Sequence, residues 1–174
     1  DPDEDSASKN TVHVSADKLS NDQNISQSQM PILDEEIEPQ ELDWKEELLE
    51  TLMQIDPSAF ERLCQRVLRE SGFVKVEVLG KTGDGGLDGV GILQMNLVSF
   101  RVHFQCKRYS GSVSNSDIRN FRGATTGRSD RGLFITTGNY TKMAREEANR
   151  DGVPIIDLID GDRLCELLKS LKLG

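Results

Sequence analysis

The stretch that decides the fold is Val98-Ser99-Phe100-Arg101-Val102-His103-Phe104-Gln105-Cys106-Lys107, which alternates without interruption. Val98, Phe100, Val102, Phe104 and Cys106 fall on one side of a strand, and Ser99, Arg101, His103, Gln105 and Lys107 on the other. Such a strand has one buried face and one polar face. Before it, residues 73–79 carry Val74, Val76 and Val78 in alternation, and residues 87–93 form a second strand after the glycine-rich loop at 80–86. A short turn near Met95–Leu97 joins the second strand to the third, so the first three strands read as an antiparallel meander.

Working outward, the remaining segments are helical or fully buried. Leu48, Leu49, Leu52, Met53 and Ile55 recur at helical spacing. Asp56 followed by Pro57 marks the start of a second helix, with Phe60, Leu63, Cys64, Val67 and Leu68 as its apolar stripe and Gly72 as its stop. Beyond the third strand, Ser114 and Asp117 form a capping box for a helix bearing Ile118, Phe121 and Ala124. Residues 132–136 and 153–159 read as buried strands, with helices over 141–150 and 161–171. The order is α, α, β, β, β, α, β, α, β, α. It predicts an α/β domain whose mixed sheet carries helices on both faces.

Charge divides the chain. Of its 174 residues, the first 56 hold 16 acidic and 3 basic side chains, net −13, and the remainder 14 acidic and 18 basic, net +4. Residues 1–40 lack any aromatic residue and read as an acidic, disordered linker or tail, with residues 41–174 as the folded domain. A solvated spacer is the simplest account of the tail. A tether to an upstream domain, or a competitor with polyanions for the basic body, are the alternatives. No apolar run is long enough for a membrane span, and no secretory signal is visible. Cys64, Cys106 and Cys165 are too scattered for a disulfide frame or a zinc clasp and suit a reducing, cytoplasmic setting. The absence of an initiator Met is what a fragment of a longer protein would show.

Three polar residues are out of place for packing alone. If strands two and three pair through their short turn, Asp88 comes level with Gln105, next to Lys107. A carboxylate, an amide oxygen and an ammonium at one sheet end suit metal-assisted attack on a phosphate. Asp88 and Gln105 would hold a hard cation such as Mg²⁺, with Mn²⁺ as a substitute, and Lys107 would orient water or stabilise developing charge. Glu61, in the first turns of the second helix, is a further oxygen donor, although a glutamate there also serves the helix dipole. For each residue a plainer role exists: Asp88 in a turn, Lys107 as a solvated strand end. Gly80-Lys81-Thr82 lacks the preceding glycine of a phosphate loop, since Lys75 occupies that position.

Four ordered motifs carry a resemblance: Phe60-Glu61-Arg62-Leu63, Gly83-Asp84-Gly85-Gly86-Leu87-Asp88-Gly89, Phe104-Gln105-Cys106-Lys107-Arg108-Tyr109 and Gly132-Leu133-Phe134-Ile135-Thr136-Thr137. Over about residues 57–168 the chain resembles the catalytic domain of Mrr-type restriction endonucleases, of the PD-(D/E)xK nuclease superfamily. The resemblance implies a restriction-endonuclease-like αβββαβ core and Mg²⁺-dependent hydrolysis of double-stranded DNA, often modified (methylated) foreign DNA. By the same analogy, Asp88, Gln105, Lys107 and Glu61 are the catalytic set, and the peptide carbonyl of Cys106 is a further metal ligand. Gln105 stands where most of the superfamily has Glu, which removes one negative charge. Lys81, Gly85, Gly86, Arg108, Tyr109 and Arg122 are the expected DNA contacts; basic residues recur after the site, and the loop glycines admit a close phosphate. Tyr109 would stack, hydrogen-bond or merely pack. His103 reads as a satisfied strand residue. A junction-resolving or repair nuclease of the same fold, and a non-catalytic DNA-binding module, are the rival readings. Double-strand cutting would favour a homodimer, and a DNA-recognition domain would lie upstream.

Overall fold

The computed structural model of the protein describes residues 39–79 and 86–173, with side chains from Trp44 onward. The tail expected over 1–40 therefore lies almost wholly outside the described residues, as do Lys81 and Gly85. Two helices open the fold, α1 (Pro39–Gln54) and α2 (Pro57–Glu70). The strands β1 (Phe73–Val78), β2 (Gly89–Met95) and β3 (Val98–Lys107) follow. Then come β4 (Ser112–Val113), α3 (Asn115–Thr125), β5 (Arg131–Thr136), β6 (Asn139–Tyr140), α4 (Lys142–Ala148), β7 (Ile156–Ile159) and α5 (Gly161–Ser170).

Local chemistry sets most boundaries. The Asp56 carboxylate accepts from the amides of Ser58 and Ala59 with Pro57 beside it, and Gly72 leaves α2 at φ 98°. Ser114 and Asp117 exchange the two bonds of a capping box at the start of α3. Met95 pairs with Val98 across a two-residue turn in which Asn96 takes φ 47°, a conformation Asn tolerates better than most residues.

The main sheet runs β1-β2-β3-β5-β7. Its first two pairings are antiparallel and the last two parallel. A separate parallel pair, β4 with β6, was not legible in the sequence. One core joins α1, α2 and α5 to the sheet through Leu52, Phe60, Cys64, Val67, Ile135, Leu164 and Leu168. The other joins α3 and α4 to it through Ile118, Phe121, Phe134, Ala144 and Ile156. The α/β architecture with helices on both faces is as expected. Two details differ. Val74 and Val78 are exposed because β1 is an edge strand with a bulge between Phe73 and Lys75. Gly89 is required in β2, since a Cβ there would lie 2.4 Å from both the Glu77 carbonyl and the Phe104 ring.

Arg122 corrects an expectation. Read as a DNA contact, it is 5% exposed. Its Nε donates to Glu147 Oε1 at 3.0 Å and its terminal nitrogens to the carbonyls of Pro154, Glu147 and Ala148. The guanidinium ties α3 to α4 and to the approach to β7, and it has no face left for a phosphate. Removing the guanidinium leaves three carbonyls without that donor and Glu147 with only its longer contact to Arg150, at 3.5 Å. Arg122→Ala should therefore lower stability by about 3–5 kcal/mol, read as a shift of the urea midpoint.

Candidate active site

β2 and β3 position the site by register. Gly89 pairs with Phe104, and one step further the Asp88 amide donates to the Phe104 carbonyl at 3.1 Å. Asp88 is thus level with Gln105. There the backbone ladder between the two strands runs out, and the Asp88 side chain continues it: Oδ2 accepts from the Cys106 amide at 2.5 Å. A strand residue turns its N–H and C=O to the same edge. The Cys106 carbonyl therefore faces the edge that Asp88 occupies.

Gln105 and Lys107 lie on the α3 side of the sheet. With Cys106, Asp117, Asn120, Phe121 and Phe134 they line a cleft of about 260 Å³. Gly86, at φ 84°, brings its backbone so close to Gln105 that a Cβ would sit 3.0 Å from the amide nitrogen. The Lys107 ammonium contacts Asp117 Oδ1 at 2.9 Å and lies 5.0 Å from the centre of the Tyr109 ring. The Tyr109 backbone is pinned in turn by Thr137, whose hydroxyl accepts from its amide and donates to its carbonyl.

Glu61 is carried by a helix, not by the strand that carries Gln105 and Lys107. It belongs to α2, one turn before Cys64, over the face to which the Cys106 side chain points. Burial pushes the Cys106 thiol well up, followed by its contact with the Cys64 thiol and the charges of Asp88 and Glu61. A thiol so held stays protonated. Among the described residues, no three His, Cys, Asp or Glu side chains form a group able to hold a metal ion. The oxygen donors of the expected set are the Asp88 and Glu61 carboxylates, the Gln105 side-chain oxygen and the Cys106 carbonyl. That set fits a hard cation that keeps several of its waters and needs only one or two carboxylates.

Arg108 is also drawn inward. Its Nη1 donates to the Met53 carbonyl in the last turn of α1, and its Nε is buried without a partner. Tyr109, 42% exposed, stays at the mouth of the site. His103 is buried, and its imidazole is held below the usual value by burial first and then by Arg101 and Arg128. Asp117 and Asn120 are the cleft residues that sequence reasoning missed. Asp117 was legible only as a helix cap.

The αβββαβ core, with a carboxylate and a Gln-x-Lys pair at adjoining strand ends, defines a protein of the restriction-endonuclease fold. The chain belongs to the restriction endonuclease family, whose catalytic-domain profile matches residues 52–168. It is 37% identical over 134 residues to the type IV methyl-directed restriction enzyme EcoKMrr of Escherichia coli (strain K12), a match covering 74% of this chain. The chain spans 43% of that relative's length. Among solved structures it is similar to the DNA modification-dependent restriction endonuclease AspBHI, at a TM-score of 0.63 and 21% identity, over 74% of this chain and 35% of that one. It is also similar to the MspJI restriction endonuclease in complex with a 27-mer oligonucleotide, at 0.58 and 28%, over 72% and 31%.

Asp117 offers a pH test. Burial alone would raise its carboxyl, but the Ser114 hydroxyl and amide, and then Lys107, outweigh that and hold it below the usual carboxylate range. A depressed native value means stability that is present above the unfolded value and lost as pH falls through the native one. The stability gap between wild type and Asp117→Ala should therefore be constant near neutrality and close below about pH 4, measured by urea unfolding at stepped pH.

Proposed function

We propose that this domain hydrolyses phosphodiester bonds of double-stranded DNA with the help of a divalent cation, Mg²⁺ by preference and Mn²⁺ as a substitute. The observation that carries the reading is the register that sets Asp88 level with Gln105 and fastens its carboxylate to the Cys106 amide, beside Lys107. In this reading the Asp88 carboxylate, the Gln105 side-chain oxygen and the Cys106 carbonyl hold the cation. When bound, the ion supplies charge stabilisation at the phosphoryl group and a more acidic water.

The protein's own groups do the rest. The Lys107 Nζ, a point charge with three donors, stabilises negative charge gathering on phosphoryl oxygens and orients water in the cleft. The lack of a side chain at Gly86 leaves the Gln105 amide room that a Cβ, at 3.0 Å, would crowd. Glu61, whose charge reaches Cys106 from α2, is the further carboxylate of the ligand set. Tyr109, beside Lys107, serves as a DNA contact.

The substrate is modified DNA in this proposal, as the names of two of the relatives describe for those proteins. Cleavage of both strands calls for two copies of the site, hence a homodimer, and selection of the modification for a recognition segment outside this domain. Three free thiols suit action in the cytoplasm.

Asp88→Ala and Lys107→Ala should each lower the cleavage rate by at least about 10²–10³-fold; Lys107→Ala should keep the melting temperature within a few degrees, whereas Asp88→Ala, which also loses the acceptor of the Cys106 amide, should lower it by roughly 5–10 °C. Gel assays on methylated, unmethylated and branched DNA, with and without Mg²⁺, provide the measurement. A Lys107→Ala protein that cuts at the wild-type rate refutes the role given to that lysine. Cutting confined to branched DNA would point to junction resolution. Tight DNA binding with no product in either metal would leave a binding module.

A further inference from the structure

We propose that Asp117 is the positioning residue for Lys107: it anchors the ammonium from the first turn of α3 and so sets the geometry of the proposed cleavage, an inference that rests on the nuclease reading above.

A capping box uses one oxygen of the N3 carboxylate, and here that oxygen is Oδ2, which accepts from the Ser114 amide at 3.0 Å and the Ser114 hydroxyl at 2.7 Å. The cap leaves Oδ1 over. It is turned into the cleft that Gln105 lines and meets the Lys107 ammonium at 2.9 Å. The two oxygens of one carboxylate thus serve two elements, the start of α3 and the end of β3.

The anchor matters because of what lysine is. Four methylenes and a hydrated ammonium sample many rotamers, and this side chain is 34% exposed. Asp117 is itself held by two hydrogen bonds from Ser114, and the helix N-terminus favours its charge. On the other flank the Tyr109 ring sits 5.0 Å from the same nitrogen. Held on two sides, the ammonium has little room to move, whereas a catalytic group displaced by about 1 Å can lose on the order of 10²-fold in rate. A phosphate entering the cleft would meet an ammonium already placed. It would also meet the carboxylate behind it, so removing that charge should not weaken DNA binding.

The test compares Asp117→Asn, Asp117→Glu and a control, Asp160→Ala. The control removes the side chain that accepts the Arg163 amide at the start of α5 and pairs with Arg145, two strands across the sheet from Lys107 and outside the cleft lining. Single-turnover cleavage and DNA dissociation constants are measured on each, together with the Lys107 ammonium resonance by ¹⁵N NMR. Asp117→Asn should cut on the order of 10²-fold more slowly with the dissociation constant within about twofold of wild type, and its ammonium resonance should be lost to solvent exchange. Asp117→Glu, which keeps the charge, should recover most of the rate, and Asp160→Ala should cut as wild type does despite its lower stability. Wild-type cleavage by Asp117→Asn overturns the proposal. So does an unchanged ammonium resonance, or an equal loss of rate in Asp160→Ala. A wild-type protein that cuts no DNA yet loses the resonance on Asp117→Asn supports the anchor and sinks the nuclease reading instead.

Discussion

The bond from the Cys106 amide to the Asp88 carboxylate is the contact on which the arrangement of this end of the sheet depends. The backbone pairing of β2 with β3 ends with the Asp88 amide on the Phe104 carbonyl, and the Cys106 amide beyond it would be left without a partner. Asp88 supplies an ionised acceptor in its place. Hydrogen bonds to charged groups contribute about 1.5–3 kcal/mol, and leaving a buried donor unmet costs a comparable amount. The same bond holds the carboxylate against the strand that carries Gln105 and Lys107. Folding and site assembly thus share one interaction, and a substitution at Asp88 touches both.

Around that end the two layers contribute unequally. The α2 side brings thiols, Glu61 and apolar bulk. Its effect on the site is visible in the raised Cys106 thiol. The α3 side brings the polar lining and a rigid helix start. α3 is tied at both ends: Asp117 joins its first turn to β3, and Arg122 joins its last turn to α4 and the approach to β7. A helix fixed in this way is a firm support for the cleft wall formed by Asp117, Asn120 and Phe121.

The fold was legible where the sequence pattern and the burial agree. The strand at β3, the cap at Asp56 and the box at Ser114–Asp117 are each found, but the one-sided burial expected of β3 is not, since Val98 is exposed and His103 is buried beside Val102 and Phe104. The approximate levelling of Asp88 and Gln105 was legible from a short turn near Met95–Leu97, while the register itself, Met95 opposite Val98, comes from the structure. Other features were hidden for physical reasons. β4 and β6, at two residues each, are too short to show a period. Arg122 looks in sequence like any surface cation, since burial by three carbonyls and a carboxylate comes from distant segments. Arg108 turns toward a helix end 55 residues away in the chain. Asp117 had a sufficient explanation as a cap, and only the packing of α3 against the end of β3 reveals its second oxygen at work.

The tight turn at Asn96 and Leu97 sits at the end of the sheet remote from the cleft, with Leu97 98% exposed. An apolar side chain held in water there contributes nothing by packing, and the register is maintained by the backbone of Asn96 instead. Residue 97 is therefore free to vary in chemistry. With Cys64 and Cys165 fully buried, it is a natural place for a reporter group that watches the molecule without disturbing it.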